Sequence, residues 1–81
     1  MRKMQNQYGS QINIVEHIIL RNGWEYYVTD NKFKDDVIQC VVMGFETEMG
    51  DVYMSELKGH IVSRTRDLTD LAPCDCWNWV A

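Results

Sequence analysis

Between Val37 and Phe45 the chain carries a nearly unbroken apolar run, followed by the polar stretch Glu46 to Asp51 and a second short apolar run, Val52 to Met54. β-branched residues crowd both alternating faces of this segment before Met49-Gly50-Asp51 turns the chain, which predicts a β-hairpin. Val37, Val41, Met43 and Phe45 share one face of the first strand; Ile38, Cys40 and Val42 share the other. A strand apolar on both faces is a central strand covered twice. The cover must come from the C-terminal segment or from another subunit.

Upstream, Trp24 to Thr29 alternates with period two, placing Trp24, Tyr26 and Val28 on one face and Glu25, Tyr27 and Thr29 on the other, as in an antiparallel strand. Asp30-Asn31-Lys32 supplies turn chemistry between it and the hairpin. The segment before Trp24 reads differently. At about 100° per residue, Ile12, Ile14, Val15, Ile18 and Ile19 fall on one stripe, with Asn13, Glu16, His17 and Arg21 opposite. With Ser10 as N-cap and Gly23 as stop, this predicts a helix. Residues 1–9 are polar, end in Gly9, and read as a flexible, frayed tail. Beyond the hairpin, Ser55 and Gly59 bracket a short helical turn. Ser63-Arg64-Thr65-Arg66 has no periodicity and reads as a loop, and Asp67 or Thr69 caps another turn that Pro73 stops. Cys74 to Val80 alternates large and polar residues, as either a short edge strand or an extended aromatic arm. The expected architecture is therefore a single α+β domain over residues 10–81. It has one N-terminal helix packed on a three-stranded antiparallel sheet, short C-terminal helical turns and an extended aromatic arm.

Eighty-one residues make one domain, and surface scaling for this size leaves roughly 5,000 Å² exposed and a thin core. A core of that size contributes only about 3–5 kcal/mol, so a homo-oligomer or a tightly held protein partner is the expected supplement. Twelve acidic against eight basic residues give a net charge of −4. That balance disfavours a general nucleic-acid binder, whose affinity comes from neutralising phosphates, and favours basic partners. Three cysteines, Cys40, Cys74 and Cys76, leave an odd thiol, and Met1-Arg2-Lys3 runs into amides instead of an apolar leader, so a reducing cytoplasm is expected. No apolar run approaches the roughly 20 residues of a spanning helix, so no membrane segment is expected.

Candidate chemistry is sparse, and no cofactor is expected. Cys74-x-Cys76 offers a thiol or metal site, but structural zinc uses two paired knuckles with wider gaps. Redox pairs are C-x-x-C at a helix start. Cys40 lies among Ile38, Val41 and Val42, where burial leaves a thiol inert, so neither it nor His17 or His60 makes a convincing catalytic centre. The expectation is a non-enzyme. Lys58, Arg64 and Arg66, with His60, form the one basic concentration. One helix followed by three strands also resembles part of the double-stranded-RNA-binding architecture, which makes a nucleic-acid-binding module the second reading. The leading reading is protein binding. Trp77, Trp79, Tyr27 and Tyr53 would supply large contact area at low entropic cost, and Glu46, Glu48 and Asp51 an acidic rim that steers a basic partner.

The stretch Gly44 to Leu57, continued by Ser63-Arg64-Thr65-Arg66-Asp67-Leu68 and the close from Pro73 to Trp79, resembles small accessory proteins of tailed bacteriophages and prophages. The resemblance covers the C-terminal half. It implies a setting in which such a protein binds a host enzyme, a nuclease complex or its own copy in the host cytoplasm, and it assigns no functional residue.

Overall fold

In the computed structural model, which describes residues 1–81, nearly every element is an antiparallel strand. In chain order these are β1 (Arg2–Asn6), β2 (Gln11–Leu20), β3 (Glu25–Lys32), β4 (Val37–Met43), β5 (Thr47–Tyr53), β6 (Ile61–Thr65) and β7 (Trp77–Trp79), with one four-residue helix, α1 (Met54–Leu57), between β5 and β6. They form one sheet in the order β5-β4-β3-β2-β1-β7, and β6 also pairs with β2. The expected α+β architecture, with an N-terminal helix on three strands, is therefore corrected to a seven-stranded sheet.

The physical reason lies in β2. Five of its ten residues are Ile or Val, whose branched Cβ is stiff at χ1 and suits a pleated surface better than a helix. Its pairing with β3 steps from Ile14–Thr29 to Glu16–Val28, so Val15 is an extra residue, a β-bulge. The bulge shifts the alternation by one. Before it, Ile12 and Ile14 point to one face; after it, Ile18 and Leu20 point to the other. A period-two pattern with a phase slip in its middle yields spacings of three and four, which imitate a helical stripe.

The bulge also lets β2 change partners along its free side. Its first half, Gln11 to Ile14, pairs with β1, and its second half, His17 to Leu20, pairs with β6. Residues 2–6 are thus a strand and not a frayed tail: Met4, opposite Ile12 and Trp79, is fully buried. The stretch Ser63 to Thr65 belongs to β6 and not to a loop, held against Ile19, Ile18 and His17.

Two apolar clusters sit on opposite faces of the sheet. The first joins Ile18, Leu20, Tyr26, Val28 and Cys40 to Leu57 of α1, with Trp24, Ile38, Val42 and Ile61 packed around it. The second joins Met4, Ile14, Tyr27 and Val41 to Leu68, and Leu71, Cys74, Trp77 and Trp79 close over it. β4 is thus covered on both sides, Cys40 and Val42 towards one cluster and Val41 and Met43 towards the other, and the C-terminal segment supplies the second cover.

Local chemistry pins both covers. Asp36, in the β3–β4 loop, accepts from the backbone N–H of Met54 at 2.9 Å through its carbonyl and from that of Ser55 at 3.0 Å through its carboxylate. Ser55 is therefore inside α1 and Asp36 holds the helix start, a role its own N-cap residue, Tyr53, does not fill. On the other face, the Tyr27 hydroxyl donates to the Ala72 carbonyl at 2.6 Å, Trp79 Nε1 to Leu71 at 2.8 Å and Arg2 to Leu68 at 2.7 Å. These bonds convert an irregular arm into a second layer. The exposed surface totals 5389 Å², close to the size expectation.

If β1 is a structural strand, Met4→Ala should cost about 2–5 kcal/mol in urea denaturation, as deletion of a fully buried side chain does. A loss below about 0.5 kcal/mol, typical of surface changes, would show that residues 2–6 fray in solution.

Candidate functional site

The residues with chemical potential divide between the interior and one end of the β4–β5 hairpin. Inside, two polar pairs flank β2. His17 Nε2 lies 2.8 Å from Glu25 Oε1, with the His17 ring 5.0 Å from that of Tyr27. Arg64 donates from Nε to Glu16 Oε2 at 2.7 Å, and this bond holds the guanidinium charged more firmly than usual. Every buried side-chain nitrogen and oxygen has a hydrogen-bond partner, so these groups are satisfied within the fold. Glu16 and His17 are buried because the neighbouring strands supply their counter-groups.

The thiols lie apart from one another in character. Burial pushes Cys40 up to about 12, with the Glu16 charge adding to it. Cys74 is pushed up to about 11, first by burial and then by the charges of Asp75, Cys76 and Glu25. Both shifts disfavour the thiolate, the form in which a cysteine acts as a nucleophile. No three His, Cys, Asp or Glu side chains converge into a metal-binding group.

Seven residues carry the protein-binding expectation, and the structure separates them into four groups. Tyr27 is 3% exposed and its hydroxyl is occupied by Ala72, so it is a core residue and not an anchor on the surface. Trp77 and Trp79 pack on the second cluster; Trp79 meets Tyr27 edge-on at 5.4 Å and lies under the Arg2 guanidinium at 4.1 Å. Asp51 and Tyr53 are exposed on the second face of β5, opposite Gln39 and Val37. Glu46 and Glu48 stand at the hairpin tip. Of the basic trio, Arg64 is tied to Glu16, while Lys58 and Arg66 are exposed at opposite ends of the α1–β6 segment.

The tip holds what the sequence pattern concealed. Phe45 is 96% exposed, and its ring sits edge-on to Trp24 at 5.4 Å and 81°. The pattern put Phe45 on the covered face of β4; the strand instead ends at Met43, and Gly44-Phe45-Glu46 is the loop that joins it to Thr47. The signal available was Gly44, which breaks the apolar run just before Phe45. Gly44 is needed for space: a Cβ there would stand 2.7 Å from the Trp24 ring. Trp24, Val42, Gly44, Phe45, Glu46 and Glu48 enclose a notch of about 230 Å³. Larger hollows of about 430 and 420 Å³ contain no aromatic ring; one is lined by Leu20, Arg21, Asn22 and His60, the other mainly by amides between β2, β3 and β4. The notch alone combines exposed aromatic surface with carboxylates.

Compared with family models, curated proteins and solved structures, the chain matches none.

Tyr27, like Cys40, is raised to about 12 by burial. Both groups hold their proton more tightly folded than unfolded. Their stabilisation is therefore complete below the ordinary values of 9.0 and 10.0 and is lost as pH rises through about 12. Urea midpoints should hold steady up to the lower of those values and fall above it, and Cys40→Ala should shallow the fall. A slope unchanged by that substitution would remove Cys40 from this account.

Proposed function

We propose that this chain is a non-enzymatic docking protein that presents the tip of its β4–β5 hairpin, Phe45 with Glu46 and Glu48, to a basic surface on a protein partner. The observation that carries the reading is Phe45, a large apolar side chain that is 96% exposed yet braced by Trp24. Burying such a side chain against a partner contributes about 1.5–3 kcal/mol. Bracing limits the rotamer freedom that is lost on binding. The acidic rim and the net charge of −4 favour encounter with a basic surface.

The outer edge of β5 has no neighbouring strand and extends this surface with unpaired backbone groups. The nucleic-acid reading is weaker, since Arg64 spends its charge on Glu16. The phage-type accessory role and the cytoplasmic setting belong to this proposal. No helix is long and apolar enough to cross a membrane.

The test is a partner captured from the source cells and then reconstituted from pure components. Phe45→Ser and the double change Glu46→Gln/Glu48→Gln should each weaken the complex at least about tenfold. Both should leave stability within about 0.5 kcal/mol, as surface changes do. A partner bound equally well by both variants would overturn the proposal.

A further inference from the structure

The notch at the hairpin tip has a composition that selects among ligands. One wall is the Trp24 ring, held over Gly44, and the second is the Phe45 ring at 81° to it. The remaining rim carries the carboxylates of Glu46 and Glu48. Neither carboxylate has an ion pair: the two in the molecule are His17–Glu25 and Arg64–Glu16. Two aromatic rings set at an angle offer negative π-faces, and a cation within about 6 Å of a Trp centroid is attracted by them, most strongly where water is partly excluded. Anionic oxygens beside the rings add charge-assisted hydrogen bonds and disfavour anionic or neutral occupants.

The molecule already contains one such pairing. Arg2 sits 4.1 Å above the Trp79 ring and donates to the Leu68 carbonyl, so aromatic face and oxygen acceptor hold one guanidinium together. At Trp24 the same elements are assembled without a cation from the chain itself.

We infer that the Trp24–Phe45 notch is a receptor for a single cationic side chain, arginine or lysine, projecting from the partner protein. This rests on the docking role proposed above and names the chemistry by which the partner is recognised. Arginine suits the site better, because its planar guanidinium can stack on Trp24 while donating in a fork to a carboxylate; the lysine ammonium is a more strongly hydrated point charge. Phe45 closes the outer side and Gly44 sets how deeply the Trp24 ring can sit. Val42 adds an apolar side chain to the lining.

The probes are N-acetyl-arginine amide, N-acetyl-lysine amide and the neutral N-acetyl-norleucine amide, titrated into the full chain and followed by nuclear magnetic resonance. The Trp24 indole and the Gly44 and Phe45 amides should shift saturably with the arginine probe, more weakly with lysine and negligibly with norleucine, while the Trp77 and Trp79 indoles stay in place. Glu46→Gln/Glu48→Gln should weaken arginine binding at least about tenfold. Gly44→Ala, whose Cβ would displace the Trp24 ring, should remove the saturable shift while the amide spectrum of the strands persists. Equal response to norleucine, or shifts spread evenly over all exposed carboxylates, would overturn the inference. If the probes fail to bind but Phe45→Ser still releases the partner, the cation receptor falls and the docking surface stands. If arginine binds saturably and the partner is indifferent to Phe45, the receptor stands and the docking role falls.

Discussion

Everything in this fold depends on one extra residue in one strand. β2 is the only strand with three partners, and it can have them because the bulge at Val15 turns its axis between Ile14 and Glu16. β1 and β6 occupy successive stretches of one edge of β2, residues 11–14 and 17–20, on either side of the bulge. The apolar side chains of β2 feed two different clusters. A chain this small cannot bury one large core, since surface grows relative to volume as size falls. Here it builds two thin ones that share a sheet, each closed by a short covering segment: α1 with the start of β6 on one side, and the stretch from Leu68 to Trp79, which ends in β7, on the other.

The covers hold by specific polar bonds as much as by apolar area. Asp36 fastens the start of α1, while Tyr27, Trp79 and Arg2 each donate to a carbonyl of the Leu68–Ala72 stretch. Of the aromatic residues that look like surface anchors in the sequence, Tyr27, Trp77 and Trp79 are therefore packed on the second cluster and only Tyr53 is exposed, while His17 pairs with Glu25 and Glu16 with Arg64. What remains uncommitted is the hairpin tip and the edge of β5. The docking role proposed for the tip rests on Phe45, the most exposed of the aromatic side chains.

Much of the sheet was legible from period two. The facing of β3 and β4 is legible, down to Cys40 and Val41 pointing opposite ways. Their turns are not: Asp30-Asn31-Lys32 and Met49-Gly50-Asp51, expected as reversals, lie inside β3 and β5, and the chain reverses at residues 33–36 and 44–46 instead. β2 was misread because alternation with a phase slip produces helical spacings, and its β-branched content was the evidence against a helix. β1 was invisible for another reason: Met4 is its only buried apolar residue, and its place is fixed by pairing with β2 and β7, not by local pattern. At the tip, Glu46 and Glu48 were legible as an acidic rim, whereas Phe45 was hidden because the apolar run continued through it. Only the pairing of Met43 with Thr47 shows that the strand has already ended.

The most direct test of this account is the set of interstrand nuclear Overhauser contacts made by residues 11–20 in the isolated chain. The bulged strand predicts cross-strand contacts from Ile14 to Thr29 and from Ile12 to Met4 in the first half, and from Ile18 to both Tyr26 and Arg64 in the second. Sequential contacts of helical type over residues 10–22, with none to residues 2–5 or 61–65, would contradict it.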